Sequence, residues 1–524
     1  MPDFDEEFDV VVIGFGFAGG VSAISAADSG ARVLLIEKMP DPGGISICSA
    51  GGVRTTCSET DALAYLRATN AKTTDDAVLE VLAKGMTSVG SFIERLAHTS
   101  RARVVHTRAD ANYPFEGFRS FGFSSIADVP GFDSEREFPH VCGLRGGARL
   151  FRVVMDNVRA RQIPVWVGSR ALELICSSEN TVDGVIVESG AQRTRIRALG
   201  GVVLACGGFE AADDMKVQYW QEKPVLPGAF LGNTGDGIRM AQSVGADLWH
   251  MWHYHGSYAI RHVDPSYPYG IRVTRFRDWT PGSGLEAQAE VPAFFTASHD
   301  SQMPWIIVDQ YGRRYMNEYP PYFSDTGHRP MAYFDPVTQR YPRIPSYLIT
   351  DARALDRYAL GFPTYNDRQV DFRWSEDNRA ELGLGIIRKA DSLDELGKLI
   401  DVDCRGLRET IDRWNYFCRE GRDSDYFREA WSMSELIGPP FFVASVWPTV
   451  ANTQGGLVHD PCQRVLNVFR VPIDGLFVAG EISSVFGHLY LSGGNLAECF
   501  IGGRIAGREA AARAKAESMR SRVR

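Results

Sequence analysis

The stretch that most limits what this chain can become is DVVVIGFGFAGGVSAISAADSGARVLLIEK, Asp9 to Lys38. DVVVIG is a continuous apolar run of the kind a parallel strand buried on both faces requires; FAGGVSAISAADSG has the small residues of a closely packed helix; ARVLLIEK is a second buried strand. Together they predict a βαβ unit. Gly14-Phe15-Gly16-Phe17-Ala18-Gly19 stands between the first strand and the helix. Gly14 permits the tight turn, Gly16 lets the backbone approach a pyrophosphate, and Gly19 brings helix and strand together, with the helix N-terminus facing the anion. Glu37 closes the second strand, where a carboxylate can accept hydrogen bonds from a ribose. The expectation is a bound dinucleotide.

A chain of 524 residues exceeds the roughly 250–300 that one hydrophobic core fills, so more than one domain is expected. Thr74–Leu96 reads as helical, Arg101–Gly147 as glycine- and aromatic-rich loop, and Gly147–Arg161 as helix again. QIPVWVGSRALELICS, TVDGVIVESG and RIRALGGVVLACGG look like strands, and GDGIRMAQSVGADL like a helix. From about Trp249 to Pro440 tryptophan, tyrosine, proline and arginine crowd the loops. Apolar strands then return in PFFVASVWPT and GLFVAG, ahead of a helix over NLAECFIGGRIAGREAAARAKAESM. The expected organisation is one dinucleotide-binding domain from residues 1–249 and 440–524, interrupted by a second domain at 250–439.

Further glycine turns narrow the choice of dinucleotide: Gly43-Gly44, Gly51-Gly52, ACGGFE at 205–210, NTQGGL at 452–457 and GLFVAGE at 475–481. With these, nearly the whole sequence resembles the fumarate reductase/succinate dehydrogenase flavoprotein superfamily. The resemblance implies an α/β protein with a Rossmann-like FAD-binding domain of the GR2 type, interrupted by an α+β capping and substrate domain, and non-covalent FAD. It implies that Ala205, Gly207, Gly208, Gly455 and Gly480 touch the cofactor, that Glu481 holds the ribityl chain, and that the backbone at Asn495–Leu496 faces the flavin's pyrimidine end. Lys38, Gly43, Gly44, Gly51 and Gly52 fall in the same expected site as Gly14, Gly16, Ala18, Gly19 and Glu37.

GHLYLSGGNLAECF, Gly487 to Phe500, bears on the reaction. Fumarate-type reductases carry a substrate-binding histidine and arginine between their AGE-like and GGN turns; aligned without gaps, those positions are Gly487 and Leu491 here. The same segment is more similar to the 3-ketosteroid dehydrogenases, which have a tyrosine and, four residues on, a glycine, here Tyr490 and Gly494, with Ser492 completing a Tyr-x-Ser. A phenol hydroxyl and a backbone N–H at a helix start can both donate to one carbonyl oxygen and stabilise an enolate as it forms. YGRRYMNEYPPYF, Tyr311 to Phe323, resembles a G-R-R/K-F-x-N-E-x-x-P-Y element of the same dehydrogenases, which puts Tyr322 on their catalytic base, with Tyr319 as the alternative. A tyrosine near pKa ~10 needs a lowered pKa or a proton relay for that role. Asp110-Ala-Asn-Tyr113-Pro114 resembles their D-Y-Y-P stretch and adds Tyr113. The resemblance implies desaturation α,β to a ring ketone, a steroid or a smaller 4-oxocyclohexanecarboxylate, with hydride passing to flavin N5. Oxygen, a quinone or an electron-transfer protein would reoxidise the flavin. The alternatives are an ene-reductase of the fumarate or urocanate type and a flavin-binding protein without chemistry.

Composition removes other classes. A net charge of −9 with a pI near 5.7 offers no broad attraction to nucleic acid or anionic lipid. Nine scattered cysteines without a CxxC argue for a reducing compartment, and the acidic N-terminus with its short apolar run argues against a secretory signal or membrane span. A cytoplasmic enzyme is expected. His253 and His255 lack a carboxylate or cysteine at matching spacing, so no metal is expected. Arg261, Arg272, Arg275 and Arg277 form a solvated face or pair with a substrate carboxylate.

Overall fold

The Asp9–Lys38 pattern folds into the strand Glu6–Ile13, the helix Phe17–Asp28 and the strand Val33–Ile36, the two strands parallel with Val10 opposite Val33 and Ile13 opposite Ile36. The computed structural model describes residues 3–178, 180–275, 279, 281 and 303–523. Contacts divide the chain into two units, one of residues 1–215, 230–254 and 452–524, the other of 216–229 and 255–451.

In the first unit Glu6–Ile13 lies between Val33–Ile36 and Gln192–Leu204, and Pro472–Val478 runs parallel to the latter. Val10, Val11 and Val12 are wholly buried, as central parallel strands demand. An antiparallel hairpin, Ser169–Ser178 and Thr181–Ser189, extends the sheet along Gln192–Leu204. The C-terminal helix Gly494–Val523 crosses the helix Phe17–Asp28 backbone to backbone: a Cβ on Gly507 would come within 2.2 Å of Ser22 O. Larger residues could not pack there.

Two expectations change here. Thr74–Leu96 is two helices, Asp76–Met86 and Val89–Ser100, the first started by Asp75 accepting from Ala77 N–H. Arg101–Gly147, read as loop, contains the strands Arg103–Arg108 and Phe121–Asp128, which pair with each other, and Phe121–Asp128 pairs on its other side with Val53–Thr56 in a three-stranded antiparallel sheet. Glycine, serine and phenylalanine in FGFSSIAD hide the strand, since its buried face is made by Gly122, Ser124 and Ile126 rather than by a branched-aliphatic run.

In the second unit the strand Phe441–Thr453 pairs with Ser346–Asp351 and Ile387–Ala390, both antiparallel, and with Leu226–Pro227 in parallel. That last pairing brings residues 216–229 into this unit. Helices Leu393–Ile400 and Cys404–Glu420 close a core of Ile306, Ile349, Leu396, Leu407, Trp414 and Val443. No helix among the described residues is long and apolar enough to cross a membrane.

Candidate active site

Gly14, at φ +101°, turns so closely that a Cβ would sit 2.4 Å from Ala205 O, and a Cβ on Gly19 would lie 1.7 Å from Gly14 O. Only glycine fits either place. The helix behind them starts at Gly16 without a side-chain cap; Phe17 N–H donates to Ser46 Oγ at 3.2 Å, Ala18 N–H faces the Cys499 sulfur, and the N–H group of Gly19 takes no acceptor among the described residues. Glu37 is buried, accepting Phe15 N–H at 2.9 Å and Met39 N–H at 2.8 Å, one on each oxygen. Burial raises its pKa against those bonds, and each oxygen retains a further lone pair for a hydroxyl. Gly43 N–H ties its loop to Phe15 O at 2.8 Å. Lys38 bridges Thr234 Oγ1 at 2.6 Å and Asp236 at 3.1 Å. Gly51 packs on Gly146, and Gly52 on the Phe123 ring.

A second buried cluster gathers the later turns. A Cβ on Gly207 would lie 2.3 Å from Asn233 Oδ1, and one on Gly208 1.8 Å from Thr453 Oγ1. Glu481 accepts Thr453 N–H at 2.7 Å, while Asn233 Nδ2 donates to Glu210 at 3.1 Å and to Glu481 at 3.3 Å. Burial and the neighbouring Glu210 carboxyl push Glu481 well above the usual carboxylate range, so the pair keeps a proton. Gly480 abuts Ala18 and Cys499, and Gly455 abuts Met251. Asn495 Oδ1 accepts from Asn452 (2.9 Å) and Gln454 (3.0 Å), and its Nδ2 donates to Glu498 at 2.6 Å. Leu496 follows in the same first turn, half-buried.

Glu498 also accepts from Ser484 Oγ and Val485 N–H, each at 3.2 Å. Burial outweighs these donors and raises its pKa to about 7, whereas in the unfolded chain it titrates near the ordinary glutamate value of 4.5. The folded state therefore binds more protons between these values, so stability is greatest below the lower one and falls as pH rises through about 7. At about 1.4 kcal/mol per unit the ionised side chain costs about 3 kcal/mol. Between pH 5 and pH 8 denaturant midpoints should shift in favour of Glu498→Gln relative to wild type; a pH-independent difference would refute the assignment.

Tyr490 stands just before the C-terminal helix, 6% exposed, its ring edge-on to Phe486 at 5.3 Å. Its phenol oxygen accepts Gly493 N–H at 3.1 Å, and burial raises its pKa. Phe486 is itself anchored, its carbonyl 2.6 Å from His253 Nδ1. Gly494 N–H, expected to join the phenol on a ligand oxygen, donates to Leu491 O at 2.7 Å, so it can do so only by sharing its proton. Ser492 N–H donates to Asn112 Oδ1 at 2.7 Å, and Tyr113 N–H to Tyr65 Oη at 3.1 Å, which brings the 110–113 and 490–494 segments together. Arg54, which no sequence motif marks, donates to Ser492 O at 2.8 Å. The fumarate-type positions are closed: a Cβ on Gly487 would lie 1.6 Å from Thr73 Oγ1, and Leu491 is wholly buried.

Tyr319 and Tyr322 lie in the second unit. Tyr319 is wholly buried, its ring edge-on to Trp431 at 5.4 Å. Tyr322 takes φ +71° ahead of the helix Phe323–Thr326, and Arg275 lies over the Phe323 ring at 4.2 Å. A base needs a lowered pKa, but burial pushes Tyr322 up to about 12. The arginine and glutamate of the GRRYMNE stretch are structural: Arg314 grips Glu318 through two bonds of 2.8 and 2.7 Å and reaches Asp423 at 2.9 Å, all buried. His253 and His255 do not share a strand face, since the strand starts at Tyr254. Among the described residues no group of three or more His, Cys, Asp and Glu could hold a metal. Arg261 lies over the Trp447 ring; Arg277 is outside the described residues.

Residues 9–262 and 278–496 match the FAD binding domain family. The chain belongs to that family. It is 27% identical over 571 residues to the 3-oxosteroid 1-dehydrogenase of Mycobacterium tuberculosis, covering 93% of this chain and 94% of that one. It is 26% identical over 515 residues to the cytochrome-type fumarate reductase of Shewanella frigidimarina, covering 96% and 77%. Its fold matches the crystal structure of 3-ketosteroid delta1-dehydrogenase from Sterolibacterium denitrificans, with a TM-score of 0.77, 22% identity, and coverage of 97% and 100%. The protein is an FAD-dependent oxidoreductase acting on carbon–carbon single bonds.

The residues fit FAD. The uncapped helix start offers Gly19 N–H to a pyrophosphate, and Glu37 keeps acceptor capacity for a ribose. The resemblance gives Glu481 to the ribityl chain, and here Glu481 also carries internal bonds to Thr453 and Asn233.

Proposed function

We propose that this FAD-dependent dehydrogenase introduces a carbon–carbon double bond α,β to a cyclic ketone. The observation that carries the reading is the Tyr490 phenol, buried at a helix start with its oxygen accepting a backbone N–H. A hydroxyl that accepts such a bond is a stronger donor in turn, because hydrogen bonds in a chain polarise one another. Tyr490 donates to the ketone oxygen and holds the negative charge that collects there as the α-proton leaves. Gly494 N–H adds a shared donor. Tyr322 takes the α-proton in this reading, with Tyr319 as the alternative, and with a pKa near 12 Tyr322 needs an acceptor for its own proton. Bound FAD supplies the acceptor for the hydride from the β-carbon.

Two substrate sizes fit the motifs, a steroid 3-ketone and a 4-oxocyclohexanecarboxylate. Anaerobic mixing of the oxidised holoenzyme with each should bleach the flavin with at least one of them; bleaching by neither sinks the reading. The likeness to fumarate reductase supports a second reading, reduction of an activated alkene. Gly487 and Leu491 weigh against its dicarboxylate form. Faster reoxidation of the reduced enzyme by fumarate or urocanate than by oxygen or a dye would favour it.

A further inference from the structure

Arg54 lies in the strand Val53–Thr56 and is 1% exposed. Its backbone N–H donates to Gly493 O at 3.2 Å and its Nε to Ser492 O at 2.8 Å. Main chain and side chain thus grip consecutive carbonyls of the turn that presents Tyr490. Nη1 donates to Ala109 O at 3.1 Å and Asp110 O at 3.3 Å, in the segment whose Asn112 accepts Ser492 N–H. The Phe123 ring lies 4.1 Å from the guanidinium.

Every acceptor of this buried guanidinium is a neutral carbonyl, and among the described residues no carboxylate forms an ion pair with it. Burial lowers its pKa to about 10 while Tyr65, Tyr490 and Asp110 work the other way, so it stays charged at neutral pH. A buried cation without an ion pair is costly, and hydrogen bonding to carbonyls alone offsets the cost only in part. The ionisable groups that face this pair are Tyr65 of the helix Glu59–Asn70, Asp110, and, on the phenol's side, Glu498. Glu498 opposes loss of the Tyr490 proton; Arg54 favours it.

We propose that Arg54 is the charged positioning residue of the ketone site, fixing the 490–493 turn and lending the Tyr490 phenol a positive potential so that it holds an oxygen anion. This rests on the ring-ketone reading. It gives a role to a residue that touches neither motif tyrosine by hydrogen bond yet ties both their segments together.

4-Nitrophenol is a suitable probe, a ring hydroxyl that colours on ionising, titrated against the oxidised holoenzyme. Arg54→Met should raise the pH midpoint of the bound probe by about one unit, a tenfold change. It should also lower kcat roughly 10–100-fold with KM little altered. Arg54→Lys, which keeps the charge but not the grip, should hold the midpoint near wild type while kcat still falls. Arg54→Gln carries the expectation of Arg54→Met should the methionine variant not fold. An unmoved midpoint in the uncharged variants overturns the assignment. If Tyr490→Phe also leaves the probe's affinity and midpoint unchanged, the ring-ketone reading itself fails; if Tyr490→Phe moves them and Arg54→Met does not, only the role of Arg54 falls.

Discussion

Tyr490→Phe should keep its FAD and lose roughly 10²–10³-fold in the rate of flavin reduction by a ring ketone, the loss expected when one donor to a developing oxyanion is removed. The substitution deletes one oxygen and leaves the edge-on contact with Phe486 intact. Its structural cost is the loss of the backbone hydrogen bonds from Asn495 and Gly493, about 1 kcal/mol each. Stopped-flow reduction under anaerobic conditions separates the chemical step from reoxidation by whichever acceptor follows. A rate within threefold of wild type would mean that the phenol packs and does nothing more.

The second large effect lies in the other unit and concerns stability. Glu318 is wholly buried between two cations: Arg314 bonds it twice, and Arg428 Nη1 reaches it at 3.4 Å. Burial disfavours the charge on Arg314, but Glu318 and Asp423 outweigh it and raise the pKa. Arg428 lacks that support; burial lowers its pKa, with Glu318 the first group to oppose the fall. Glu318→Gln leaves Arg314 with the single carboxylate of Asp423 and takes from Arg428 the carboxylate its guanidinium reaches, so the loss should be about 3–5 kcal/mol, the usual cost of breaking a buried ion pair from one side. The denaturant midpoint of the apoprotein reads it directly. A loss under about 1 kcal/mol would show that water or rearrangement relieves the cluster.

The βαβ opening was legible because its signal is local: glycines, strand and helix lie within thirty-odd residues and each makes sense alone. Tyr490 was singled out as a candidate through an adjacent motif. Arg54 was not, because its meaning depends on carbonyls at Ala109, Asp110 and Ser492, which only the folded chain brings to it. The three-stranded sheet that carries Arg54 was missed for a related reason, its strand Phe121–Asp128 being built from residues that elsewhere make loops. Leu226–Pro227 is too short for any periodicity to announce, yet its pairing with Thr449–Val450 assigns residues 216–229 to the second unit. Motif resemblance selected Tyr322 by position, but position carries no information about burial, and burial moves its pKa away from what a base requires.

The crossing of the first and last helices bears on how the chain is made. At roughly 5–20 residues per second, a ribosome releases Pro472–Val478 and Gly494–Val523 tens of seconds after Gln192–Leu204, the strand they complete. Through that interval the face of the helix Phe17–Asp28 against which Gly503 and Gly507 pack has no partner, and the residues of the second unit, 216–229 and 255–451, have all emerged before its end. Nascent chains therefore finish the inserted unit first, and a chain cut ahead of Gly494 lacks the helix that packs on Phe17–Asp28.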